Sequence, residues 1–435
     1  MLLIFTHITS PRLQYICYFI FKDLLGTDFI ITVDTEEFKN YDGPKINYSN
    51  HSVPGHGLWI KAQELLFEEL IIPQRIVCFE WNGTKAFFNT GTADFPFDIL
   101  AASFYLVSRY EEYLPHEKDE YGRYAHENSL AYRAGFLDIP LVNIWVKDLA
   151  ETLAHKYSTF NFHYPTFSFL PTYDIDIAYS YKHKGLSRNV GGFFSSPSLD
   201  RIRVLLGSKK DPFDTYDWLD DLHDQHKLKP VYFFLVAEKN GRYDKNILPH
   251  KDAMWELVGR HSKKYEIGLH PSWQCGNDER LIKKERIQLE AMMRHNAAGL
   301  LPPVTSSRQH YIRFNLPQTY LALMNAGITD DYSMGYGSIN GFRASVASSF
   351  YWYDLETEDQ TSLRIHPFCF MDANSFYEQK QGSSEALSEM MHYYGQCKSV
   401  EGTMISIWHN NFFGSVKMFD GWKETYQQFI ALVRQ

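Results

Sequence analysis

Five places in this chain set carboxylate, imidazole or guanidinium groups directly after a short apolar run. They are Thr172-Tyr173-Asp174-Ile175-Asp176, Gly268-Leu269-His270-Pro271-Ser272, Ser306-Ser307-Arg308-Gln309-His310-Tyr311, Asp330-Asp331-Tyr332-Ser333 and Ile407-Trp408-His409-Asn410. Imidazole and carboxylate oxygen are the usual ligands of zinc where thiolates are absent, and a catalytic zinc site keeps one position for water. Such a metal polarises a carbonyl and acidifies the water. A second carboxylate can take the water's proton, and a histidine can give one to a leaving amine or alkoxide. These residue types therefore suit metal-assisted hydrolysis. Each also has an ordinary reading: Asp174 and Asp176 in a turn or helix cap, His270 as a loop histidine, Arg308 in an ion pair, His310 and His409 in a core. Five such ends in one chain argue for a site.

The elements that would position these groups alternate. The pattern predicts strands over 168–173, 230–236, 265–269, 305–309, 327–330, 363–367 and 404–408, with helices over 215–226, 252–264, 280–295, 317–325, 384–397 and 422–433. Strands alternating with helices argue for parallel βαβ units, and about seven in succession argue for barrel-like closure. In β/α barrels the active site lies at the C-terminal ends of the strands, where the five motifs fall. The expected fold class is α/β: an incomplete, distorted β/α barrel of about seven strands over 166–435, preceded by a smaller α+β domain over 1–165. In that first part, 28–33 and 76–81 read as strands, 97–113 and 142–157 as helices, and 115–128 as a charged loop.

Bulk properties narrow the partners. A length of 435 residues suits roughly two or three domains. A net charge of −9 argues against nucleic acid, whose phosphates need a basic surface. The five cysteines are scattered without a CxxC pair, which suits neither a disulfide framework nor a thiolate zinc site. The apolar stretch 2–21 lacks the basic n-region and cleavage site of a signal peptide. No apolar run reaches the length of a membrane span. The expectation is a cytoplasmic chain.

From about 166 to 435 the order of motifs resembles the polysaccharide deacetylases that share the NodB-type homology domain, in a divergent bacterial branch. Thr172-Tyr-Asp174-Ile-Asp176 is similar to that family's first motif, and Val231-Tyr-Phe-Phe-Leu235 to the strand that follows it. Gly268-Leu-His270-Pro-Ser272 resembles the second motif, Arg308 to Tyr311 stands where the third belongs, and Ser406-Ile-Trp-His409 resembles the last. The resemblance implies Asp174 as catalytic base, Arg308 as the group that orients it, and His409 as acid. It implies a divalent metal, zinc, on Asp176 and His270.

One departure bears on the metal. The family carries a second histidine four residues after the first, and this chain has Gln274 there. His310, at the next strand end, is expected to supply that imidazole. Trp273, Tyr311, Asp331 and Trp408 are candidate substrate contacts. The expected activity is removal of an acetyl-type group from an N- or O-acetylated carbohydrate. The alternatives are hydrolysis of a non-sugar amide or other C–N bond, and a non-catalytic carbohydrate-binding or regulatory protein with a relic deacetylase barrel. Ser108-Arg-Tyr-Glu-Glu-Tyr-Leu114 resembles part of an uncharacterised domain that precedes bacterial deacetylase-like domains, to which no chemistry is assigned.

Overall fold

The computed structural model describes residues 1–434 except 92, 185–198, 296–298 and 300. The strands β1 (Leu2–Phe5), β2 (Phe29–Thr32), β3 (Lys45–Tyr48), β4 (Leu58–Ile60), β5 (Phe79–Trp81) and β6 (Thr84–Ala86) come first. β7 (Ser168–Ile175), β8 (Val231–Leu235), β9 (Glu266–His270), β10 (Ser306–Ser307) and β11 (Asp330–Asp331) follow. The last are β12 (Phe350–Asp354), β13 (Asp359–Ile365), β14 (Phe370–Met371) and β15 (Thr403–His409). The chain divides into two compact units. The first holds Met1–Ser168 with Gly341–Pro367 and Gly395–Met404, and the second holds Phe169–Asn340, Phe368–Tyr394 and Ile405–Gln435.

The first unit carries a sheet in the order β2-β1-β3-β4, parallel at every ladder. Its other strands form two antiparallel hairpins, β5–β6 and β12–β13. Of these strands the sequence pattern predicts β2 and β5, and not β1, β3 or β4. All four residues of β1 are buried, so the apolar start of the chain is a core strand. A helix over Pro11–Cys17 follows, with proline in its first turn and Ser10 accepting from the Leu13 N–H as cap. The helix expected over 97–113 is two elements. Ile99–Val107 is buried along its whole length, and Arg109 then adopts a left-handed φ of 56° that opens a 3-10 turn over Tyr110–Tyr113.

In the second unit seven strands run in the order β11-β10-β9-β8-β7-β15-β14. The β7–β8, β8–β9, β9–β10, β10–β11 and β14–β15 ladders are parallel. Parallel neighbours need crossover connections, and the helices Tyr216–His226, Asp252–His261, Glu279–Met293 and Gln318–Asn325 lie in the connections between successive strands. The sequence-based alternation therefore appears as a parallel-rich α/β sheet. Among the described residues β11 and β14 do not pair with each other. All five residues of β8 are buried, as expected for a strand covered on both faces. On β9, a Cβ at Gly268 would sit 2.3 Å from the Phe233 ring. Glycine there lets Phe233 lie under the Arg308 guanidinium, 4.4 Å from its ring centre. Among the described residues no helix is long and apolar enough to cross a membrane.

Candidate metal centre

β7, β9 and β10 run parallel in one sheet, so the residues at their C-terminal ends share one edge. Asp176 follows β7, His270 closes β9 and His310 lies three residues past β10. Their ligand atoms all lie within 4.8 Å of one another. The Asp176 Oδ1 is 3.0 Å from His270 Nε2, and its Oδ2 is 3.4 Å from His310 Nε2. The two imidazole rings stand 4.9 Å apart.

Hydrogen bonds on the far side of each ring decide what faces the cluster. His270 Nδ1 is 2.6 Å from the Arg308 carbonyl, which only accepts, so Nδ1 carries the proton. In the neutral ring the Nε2 lone pair then points at a carboxylate oxygen. Asp176 Oδ1 is itself buried and receives no hydrogen bond. Two lone-pair donors 3.0 Å apart repel unless a cation sits with them. His310 Nδ1 lies 3.2 Å from Asp244 Oδ1, which leaves Nε2 toward Asp176. A carboxylate or carbonyl behind each ring is the usual second layer of a metal site. Burial works to raise the Asp176 carboxyl, yet the imidazoles of His310 and His270 hold it well below the usual carboxylate range. Burial likewise works to lower His310, but Asp176 and Asp244 push it up to about 9. The His310 shift reports the negative charge that Asp176 and Asp244 place around the ring, charge that a divalent cation would also meet. The donor set of one carboxylate and two imidazoles, without a thiolate, fits zinc.

Two further groups flank the cluster. Asp174 is buried, with Oδ2 3.9 Å from His270 Nε2. Arg308 Nη1 donates to Asp174 Oδ1 at 2.9 Å and to Thr172 Oγ1 at 2.7 Å, while Nε donates to the Tyr332 carbonyl. His409, at the end of β15, sets Nε2 3.5 Å from Asp176 Oδ2. Its Nδ1 donates to Asp372 Oδ1 at 2.7 Å, and its backbone N–H donates to Asp372 Oδ2 at 2.7 Å. Burial would lower His409, but Asp372 beside it pushes it up to about 10, so the ring is a proton donor at neutral pH. The side chains of Asp176 and His409 keep 26% and 13% exposure, which makes them the solvent-facing members of the cluster.

The candidate substrate contacts fare differently. Tyr311 is 37% exposed, with its ring 4.7 Å from that of His310. Trp273 has the Tyr243 ring at 4.0 Å and the Arg313 guanidinium at 4.1 Å beside it. Asp331 is fully buried and accepts from Ser307 Oγ, Ser333 Oγ and the Ser333 N–H, so it braces two strand ends rather than lining a cleft. Trp408 is fully buried against Phe370, Phe413, Trp422 and Tyr426, on the opposite face of β15 from its neighbour His409, and is a core residue. Gln274 does not face Asp176. Its Nε2 donates to Asp244 Oδ2 at 3.0 Å and to the Lys239 carbonyl at 2.8 Å.

Asp244 and Asp372 were missed in the sequence. Asp372 follows the two-residue strand β14, too short to carry a period. Asp244 lies in the irregular connection after β8. A buried aspartate in so polar a stretch leaves no mark in hydropathy.

A family of unknown function, DUF7033, matches residues 2–158, all within the first unit. No curated protein matches the chain. Among solved structures, the chain is similar to a candidate polysaccharide deacetylase from Mycobacterium smegmatis, at 13% identity and a TM-score of 0.41, over 62% of this chain and 84% of that one. It is similar to a polysaccharide deacetylase from Bacillus cereus at 10% identity and a TM-score of 0.30, over 61% of this chain and 88% of that one. It is also similar to the Xyl-CE4 domain of a multidomain xylanase from the hindgut metagenome of Trinervitermes trinervoides. The values there are 12% identity and a TM-score of 0.28, over 62% of this chain and 80% of that domain.

Proposed function

We propose that the second unit is a metal-dependent hydrolase that removes an acetyl-type group from an N- or O-acetylated carbohydrate. One observation carries the reading. A carboxylate and two imidazoles converge within 4.8 Å, and a separately held carboxylate and a separately held imidazolium stand beside them. A structural ion cluster needs no such division of labour; acyl hydrolysis needs a base and an acid at one centre.

Asp176, His270 and His310 would hold the metal, which when bound supplies Lewis acidity toward an acyl carbonyl and a nearby water. Asp174 accepts the proton of the attacking water. Arg308 fixes its Oδ1 and so aims the carboxylate, and Phe233 beneath the guanidinium denies it another position. The new bond joins the water oxygen to the acyl carbon, and the bond to the sugar nitrogen or oxygen breaks. His409, protonated through its pairing with Asp372, gives that leaving atom its proton from Nε2. The products are acetate and a free amine or hydroxyl. Tyr311, exposed beside His310, is the aromatic surface a sugar ring would meet.

The test is acetate release from N-acetylated chito-oligomers, O-acetylated xylo-oligomers and simple non-sugar acetamides, with metal-loaded and chelator-stripped protein. The reading expects metal-dependent release from one of the sugar classes. Release from the acetamides alone would move the activity to a non-sugar amide. A metal-loaded protein inert on all three would sink hydrolysis of acetyl groups.

A further inference from the structure

His310 reaches the cluster from an unfavourable backbone. The two residues after it, Tyr311 and Ile312, adopt left-handed φ values of 60° and 54°. This region is uncommon for any side chain and an outlier for a β-branched one, at a cost of about 1–3 kcal/mol each. Such a turn persists only where its surroundings hold it. Behind the ring, Asp244 Oδ1 accepts from His310 Nδ1 and from the Trp273 backbone N–H at 2.8 Å, while Oδ2 accepts from Gln274 Nε2. The carboxylate thus ties the turn after His270 to the ring of His310.

Two residues further on, Asn246 does the same for the third ligand. Its Nδ2 donates to the Ile175 carbonyl at 2.8 Å and to the Leu235 carbonyl at 3.0 Å. Its Oδ1 accepts from the Ala178 N–H at 2.9 Å. These contacts grip the chain on both sides of Asp176 and lock it to the end of β8. Both side chains are buried.

We infer that Asp244 and Asn246 form one bracket that sets the metal centre: Asp244, steadied by Gln274, orients His310, and Asn246 fixes the turn that carries Asp176. These are positioning residues acting through the ligands. The inference rests on the metal reading above and adds to it a segment outside all five strand-end motifs. Loss of a partner behind a ligand typically weakens metal binding by about 10- to 100-fold. Asp244→Ala is expected to do so. Gln274→Ala, one step further from the ligand, has a smaller effect in the same direction.

The experiment uses the full chain and cobalt(II), whose visible absorption reports the ligand field, with affinity read by competition against a chromophoric chelator. Metal-free unfolding midpoints are measured alongside. The bracket predicts an Asp244→Ala affinity weaker by about 10- to 100-fold, an altered cobalt spectrum, and a lowered metal-free midpoint in a chain that still folds, because the Trp273 N–H loses a buried acceptor. Should Asp244→Ala fail to fold, the exposed Gln274→Ala decides, with the weakened affinity and shifted spectrum again expected. A parent that binds cobalt, with variants that match it in affinity and spectrum, overturns the bracket and leaves the metal reading standing. A parent that binds neither cobalt nor zinc overturns both.

Discussion

In the first unit Arg109 and Arg343 meet Glu111 and Glu112. Arg343 grips Glu112 with two hydrogen bonds of 2.8 and 2.6 Å, Arg109 joins Glu112 at 2.7 Å and Glu111 at 2.9 Å, and the Leu130 N–H takes the remaining Glu111 oxygen. Two guanidinium groups balance two carboxylates. In the second unit Asp174, Asp176, Asp244 and Asp372 gather around one guanidinium, Arg308, and three imidazoles. Even with His310 and His409 protonated, the four carboxylates outnumber the positive groups that face them, and Asp176 Oδ1 is left buried without a hydrogen bond. Both clusters are costly to bury. The balanced one is accounted for by structure alone, and the unbalanced one asks for a cation. The difference teaches that burial of charge does not mark a functional site; a deficit of charge within the burial does.

The largest effect should come from unbalancing the closed cluster. Removing one partner of a buried pair costs about 3–5 kcal/mol, so Glu112→Ala is expected to destabilise by that amount in denaturant unfolding while metal binding stays as in the parent. A cost under about 1 kcal/mol, the range of an exposed ion pair, would contradict that buried role. Its pH dependence has a definite sign. Burial works to raise the Glu112 carboxyl, but Arg343 and Arg109 hold it down at about 2. The stability it contributes is therefore full above the ordinary glutamate pKa of about 4.3 and drains away as pH falls toward 2. Acid titration of the parent against Glu112→Gln should show that loss in the parent and a flatter profile in the variant.

The next effect belongs to the unbalanced cluster. Asp174→Asn keeps the shape that Arg308 holds but cannot take a proton, so kcat is expected to fall by about 10²–10⁴-fold with metal content unchanged. Retained activity would move the base to another residue. The smallest change tests the geometry of position 274. Adding Gln274→His to a His310→Ala variant should regain no metal affinity, because the side chain there reaches Asp244 and the Lys239 carbonyl rather than Asp176. Recovery to the parent's affinity would show that the turn swings freely between the two ligand patterns.

What the sequence disclosed follows from what leaves a local pattern. Arg308 follows only the two serines of β10 and stood out by its place in the order of motifs, whereas Asp174, Asp176 and His270 were legible because each ends or follows an apolar run that forms a strand. Asp244 was not, since its value lies in a hydrogen bond to a residue 66 positions away. Trp408 and His409 alternate across β15, and only the packing tells which faces the core. The first unit's parallel sheet hid for a related reason: β3 and β4 are short, and the helix-like run of 97–113 gave no warning of the left-handed break at Arg109.

The measurement that bears most directly on the deficit of charge is elemental analysis of the purified chain beside an Asp176→Ala control, each before and after incubation with zinc. The account predicts close to one equivalent of a divalent metal in the parent and its loss in the control. No metal in the parent, even with zinc in excess, would contradict it and leave the cluster a buried ion network without a hydrolytic centre.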